Sequence, residues 1–74
     1  NGIELSYRVN IGIDVVVAYY QEQMLALGWL PLSESVSEDG NGLYLYSYGN
    51  IVITIAITQL EPGSETVVLI IVAR

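Results

Sequence analysis

In the second half of the chain the strand-like segments are apolar on both faces, and little else in the sequence is available to cover them. Tyr44, Tyr46 and Tyr48 alternate with Leu43 and Leu45, and Ile51, Ile53, Ile55 and Ile57 alternate with Val52, Thr54, Ala56 and Thr58. In the last segment Val68, Ile70 and Val72 alternate with Val67, Leu69 and Ile71. Neither parity carries a charge. Strands that read as continuous apolar runs are normally buried on both sides. The sequence offers one helical pattern to cover them: Ile13, Val17, Tyr20, Met24 and Leu27 form a stripe at three- and four-residue spacing.

Geometry sharpens the mismatch. A helix of about 15 residues is roughly 22 Å long and about 10 Å across. Five strands at about 4.8 Å spacing make a sheet roughly 19 Å wide between its outer strands. One helix covers part of one face and none of the other. The uncovered apolar area would exceed the few hundred Å² that soluble monomers usually expose. The second face, or an apolar edge, is therefore expected to pack against another copy or another domain. The competing arrangement is a sheet curled tightly enough to bury itself.

The remaining segments follow from periodicity and turn chemistry. Ile3, Leu5, Tyr7 and Val9 alternate with Glu4, Ser6, Arg8 and Asn10, the pattern of a strand with one wet face. Asn10 or Asp14 is placed to cap the helix, Gly28 to end it in a left-handed conformation, and Pro31 to prevent its continuation. The Val15–Val17 run forms helix poorly, so packing must override propensity there. Strands are expected over Trp29–Val36, Leu43–Tyr48, Ile51–Thr58 and Thr66–Ala73, with turns at residues 38–42, at Gly49-Asn50 and at Pro62-Gly63. The fold class is α+β: one domain over residues 1–74, ordered β-α-β-β-β-β, with one amphipathic helix on a mostly antiparallel sheet of about five strands linked as a meander.

The hairpin at Gly49-Asn50 leaves two registers open. A two-residue loop puts Tyr44, Tyr46 and Tyr48 on the face of Ile51, Ile53 and Ile55. A three-residue loop moves that stripe to the face of Val52, Thr54 and Ala56. In either register the candidate interface residues are Tyr44, Tyr46, Tyr48, Ile51, Val52, Val67, Leu69 and Ile71.

Composition narrows the function classes. Seventy-four residues lie near the lower limit for a self-sufficient core, and there is no Cys or His to form disulfides or the usual soft-metal sites. A partner subunit is the support left over for so small a domain. Arg8 and Arg74 face eight acidic residues, for a net charge of -6. Nucleic-acid binding, which needs clustered Lys and Arg, is not expected, nor is attraction to anionic membranes. No segment approaches the roughly 20 apolar residues of a membrane span, so membrane insertion is not expected. The chain opens directly on a strand-like segment and is expected to be a processed product or an excised domain.

Catalytic groups are hard to assemble from this inventory. The serines have no His or Lys to accept a proton, and Glu34, Glu38 and Asp39 fall close together without a cleft that would separate their acidities. The Ser37-Asp39-Asn41-Gly42 sequence has the alternation of a calcium loop, but Tyr48 stands where that loop needs an acidic ligand. A polar turn is expected there, with no metal and no cofactor. Tyr44, Tyr46 and Tyr48 form a period-two aromatic stripe, which if exposed is suited to stacking on sugar rings or anchoring a protein interface.

The segment Val16-Val17-Ala18-Tyr19-Tyr20-Gln21-Glu22-Gln23-Met24-Leu25-Ala26-Leu27-Gly28-Trp29 resembles a pattern in small bacterial extracytoplasmic domains, often lipoprotein-borne, of unknown function. In those domains a helix with an aromatic-Tyr pair ends in Leu-Gly-Trp and is followed by a Gly-containing hairpin, like Tyr48-Gly49-Asn50 here. The resemblance implies a helix on an antiparallel sheet and an extracellular or cell-surface location. Such domains tend to carry basic residues at the hairpin; here Tyr48 and Ile51 are uncharged, which favours contact at that position. Together these features lead to the expectation of a non-catalytic structural module, a homo-oligomer or a part of a larger assembly such as an extracellular filament. The alternative is a carbohydrate- or ligand-binding domain that uses the Tyr stripe.

Overall fold

The two ends of the sheet are joined through its helix, and this connection decides which face is covered. The structure is a computed structural model that describes residues 2–61 and 63–73. Its elements are β1 (Gly2–Val9), α1 (Ile13–Ala26), β2 (Leu30–Val36), β3 (Gly42–Tyr48), β4 (Ile51–Gln59) and β5 (Thr66–Ala73). They form one helix on a five-stranded antiparallel sheet, an α+β fold in the expected order. Spatially the strands run β1-β5-β4-β3-β2. The meander from β2 to β5 follows from the short links. β1 then adds beside β5, with Gly2 opposite Ala73 and Val9 opposite Thr66. Since β1 and β2 are opposite edges, α1 must cross one face between them, and it packs mainly over β4 and β2.

The helix is bounded by backbone groups rather than side chains. The Gly12 carbonyl accepts from the Val15 and Val16 N–H groups at 3.1 Å, and no side chain caps this end. Asn10 and Asp14, the expected candidates, do not cap; Asp14 sits in the first turn, where the positive end of the helix dipole favours a carboxylate. At the other end Trp29 N–H donates to the Met24 carbonyl at 3.0 Å and Gly28 N–H to the Leu25 carbonyl at 3.1 Å. This paired closure requires a left-handed residue, supplied by Gly28 at φ +90°. The helical stripe differs in detail from expectation. Val16 is buried with Met24, whereas Leu27 is 65% exposed because the chain is already leaving the helix there.

The β3–β4 hairpin adopts the two-residue register. Tyr48 pairs with Ile51, Tyr46 with Ile53 and Tyr44 with Ile55. Gly49 has φ +61° while Asn50 does not, the signature of a type II′ turn, whose twist suits a hairpin. The core then lies between α1 and this side of the sheet, built from Val16, Met24, Tyr44, Tyr46, Ile55, Ile57 and Val68. Val9, Ile13, Val17, Tyr20, Trp29, Ile53 and Ile70 pack around it, half-buried. Gly42 is required by this packing. The Tyr44 ring folds back over it, and a Cβ at Gly42 would lie 2.5 Å from the Tyr44 hydroxyl and ring.

Polar groups tie down the end of the sheet away from the hairpin. Asn41 Oδ1 accepts from Gln59 N–H at 2.8 Å, and buried Thr66 donates its hydroxyl to the Ile11 carbonyl at 2.6 Å. Of the expected Pro62-Gly63 turn, Pro62 lies outside the described residues. Gly63 has φ +83°, and Ser64 N–H donates to the Glu61 carbonyl at 3.0 Å, as a type II turn requires.

Candidate functional site

Strand pairing sorts every sheet residue onto one of two faces. The face under the helix carries Tyr44, Tyr46, Tyr48 and Ile51, so four of the eight expected interface residues lie on the core side. Tyr44 and Tyr46 are 4% and 5% exposed. Their assignment to an interface is corrected: both are core residues, because the two-residue turn directs them beneath α1. Burial, with the Glu34 charge as a second cause, raises both phenols above the ordinary tyrosine value. Only Tyr48 remains exposed, packed at a tilt of 50° against Trp29 with ring centroids 5.5 Å apart. The stripe is therefore no platform for a sugar ring.

The other four expected residues, Val52, Val67, Leu69 and Ile71, lie on the opposite face, which no element among the described residues covers. Leu69 pairs with Ala56 and Ile71 with Thr54. On β3 the same face holds Leu43 and Leu45, paired with Ala56 and Thr54. Leu43 is 43% exposed and Ile71 37%, and the residues between them are half-buried by their strand neighbours. On β3, β4 and β5 this open face carries no charge; Glu4 and Arg8 border it on β1, and Ser33 and Ser35 border it on β2. Leu43 and Leu45 were not among the expected interface residues. The signal that would have found them is their parity with Val52 in the two-residue register.

A second apolar surface lies on the helix side. Ile3, Leu5 and Tyr7 point to that side of β1, as their alternation requires, but α1 is displaced toward β4 and β2. Ile3 is 70% and Leu5 56% exposed. Between β1 and α1 runs a groove of about 320 Å³ lined by Tyr7, Val9, Ile11, Val15, Tyr19 and Tyr20. The Tyr7 and Tyr20 hydroxyls hydrogen-bond across it. Burial first, then that bond, pushes the Tyr20 phenol well above its usual value. β1, expected to have one wet face, is in fact exposed along both.

The two edges differ in their backbones. β2 carries Pro31, a register break between Pro31 and Ser33, and Glu34, all features that discourage strand addition. β1 pairs with β5 without a break over its whole length and contains no proline. As an edge strand it has a regular outer row of N–H and C=O groups that pairs with no strand among the described residues.

The acidic residues do not assemble into a site. Ser37 donates its hydroxyl to Asp39, which holds that carboxyl below the usual carboxylate range. Glu34 instead accepts from the Gln21 side-chain amide at 3.3 Å on the helix side. Among the described residues no group of three or more Asp or Glu side chains gathers as metal ligands do. The molecule as a whole is under-covered. It exposes 5120 Å² at a mass of 8.1 kDa, against about 4500 Å² for a typical folded monomer of that size. Comparison with protein-family models, with curated proteins and with solved structures finds no match for this chain.

Proposed function

We propose that this chain is a non-catalytic structural module that self-associates through the open face of its sheet, in an extracellular or cell-surface assembly. The observation that carries the reading is the contiguous uncharged surface of Leu43, Leu45, Val52, Ala56, Val67, Leu69 and Ile71 on the face away from the helix. Two such faces stack at about 10 Å in ordinary sheet-on-sheet packing, their side chains interdigitating. The acidic residues fall mostly in the turns and on the helix, so they stay outside the contact of such a stack and keep the free chain soluble. A contact of this kind that does not close on itself propagates into a filament. The location rests on the resemblance of the helix and hairpin to extracytoplasmic domains. Light scattering on size-fractionated protein at low micromolar concentration tests the reading. A mass of two or more chains supports it, and a stable monomer throughout the range removes it.

A further inference from the structure

The β1 edge carries a charge pattern that fits one partner in one register. Along this edge Glu4, Ser6 and Arg8 point to the open face, and Ile3, Leu5, Tyr7 and Val9 to the helix side. Taking the reading of this chain as a self-associating module as its basis, we infer that the β1 edge pairs antiparallel with β1 of a second copy, about a twofold axis through Ser6. The two sheets then become one of ten strands, with both helices on the same side.

The register follows from the residues. A twofold axis normal to the sheet pairs residues of like parity, so the choice is which residue lies on the axis. Centring on Glu4 sets Glu4 against Glu4 of the other copy, and centring on Arg8 sets Arg8 against Arg8. Centring on Leu5 or Tyr7 leaves both charges opposite uncharged residues. Centring on Ser6 sets Glu4 opposite Arg8 of the other copy, twice, with Ser6 against Ser6 between them. Directly opposite residues in antiparallel strands have Cβ atoms about 4.5–5.5 Å apart, within reach of an ion pair. The same register sets Leu5 against Tyr7 and Ile3 against Val9 on the helix side. It thereby covers the two most exposed apolar residues of β1 and closes the groove beside α1. Seven residue pairs, Ile3 to Val9, add about six to eight backbone hydrogen bonds to a row of groups now facing water. The edge at β2, interrupted by Pro31 and the register break, offers no such row. Pairing through β1 therefore stops at two copies.

Mixing two charge variants tests the inference. In E4R both charged positions of β1 are arginines, and in R8E both are glutamates, so each variant opposes like charges when paired with itself. An E4R chain paired with an R8E chain restores both oppositely charged contacts. Because the open face associates as well, the expectation by sedimentation velocity is that wild type forms species larger than two chains, that each variant alone falls back toward the two-chain open-face stack with its β1 contact about tenfold or more weaker, and that the 1:1 mixture regains the larger species containing both variants. High salt should narrow these differences. Thermal melting checks that each variant is folded, since Arg8 also borders a hollow shared with Glu61 and Glu65. Wild-type species that keep their size and affinity in both variants, or variants whose smaller size is not restored by mixing, overturn the β1 register while leaving self-association through the open face standing. A wild-type protein that is monomeric throughout overturns both.

Discussion

Val68 and Leu69 are neighbours in β5 whose side chains point to opposite faces, and placing a lysine at each separates folding from association. Val68 is fully buried between Ile57 and Tyr7 in the strand pairing, beneath the helix. A lysine there loses the burial of the valine, about 1.5–2 kcal/mol, and adds an unpaired charge to an apolar interior, several kcal/mol more. A domain of this length has roughly 4–11 kcal/mol of stability in total, so V68K is expected to be largely unfolded. Leu69 is half-buried on the open face, where a lysine stem can lie along the sheet with its ammonium in water. L69K should therefore change the stability of the isolated fold by less than about 1 kcal/mol. Association is a different matter. The shielded Leu69 has about 1 kcal/mol of burial left to gain from a partner, and an ammonium facing that partner costs about as much again. In a twofold stack the substitution enters twice, for about 4 kcal/mol or roughly a thousandfold weaker self-binding. Sedimentation velocity on E4R chains with and without L69K, in which β1 no longer pairs, gives the affinity of the open face, and thermal melting by circular dichroism gives the fold. The reasoning is refuted if L69K weakens that affinity by less than about threefold, or if it melts as V68K does.

Three further outcomes follow from the packing. G42A should lose about 1–3 kcal/mol in urea denaturation, because the new methyl displaces the buried Tyr44 ring; an unchanged midpoint would mean that the ring moves freely. T66V should lose about 1–2 kcal/mol by the same measurement, since the Ile11 carbonyl loses its only side-chain donor among the described residues. The phenols of Tyr20, Tyr44 and Tyr46 are all raised in the folded state above the ordinary value of 10.0. Their contribution is present below that value and is lost as pH rises above it, because the unfolded chain ionises first. Urea midpoints should be flat from neutral pH to about pH 10 and then fall. Midpoints that hold or rise above that point would contradict the burial of these rings.

Much of the fold was legible because alternation and turn residues agreed. Gly28, the Gly49-Asn50 reversal and the apolar strands mark the element boundaries to within a residue or two. The hairpin register was not legible, since both parities of β3 and β4 are apolar and a one-residue slip leaves each face equally greasy. Only the φ of Gly49 and the pairing of Tyr48 with Ile51 decide it. That choice is why half of the expected interface residues lie on the helix side, with Tyr44 and Tyr46 in the core. The place of β1 at an edge was also hidden. Its alternation states which residues share a face, but not that the crossing helix leaves Ile3 and Leu5 uncovered. Capping by Asn10 or Asp14 was a sound local reading overridden by the backbone of Gly12. The burial of Val16 in place of Leu27 reflects where the helix stops, which periodicity locates only loosely.

The claim on which the functional reading depends is that the sheet face away from the helix is covered in solution. Methyl NMR with a soluble paramagnetic probe measures this residue by residue, using Leu60, which is 88% exposed at a turn, as the freely accessible reference. The methyls of Leu43, Leu45, Leu69 and Ile71 are expected to be shielded at working concentration, and those of Leu43, Leu45 and Ile71 to become accessible in L69K. Relaxation of those methyls to the same extent as Leu60 in the wild-type protein would contradict the claim.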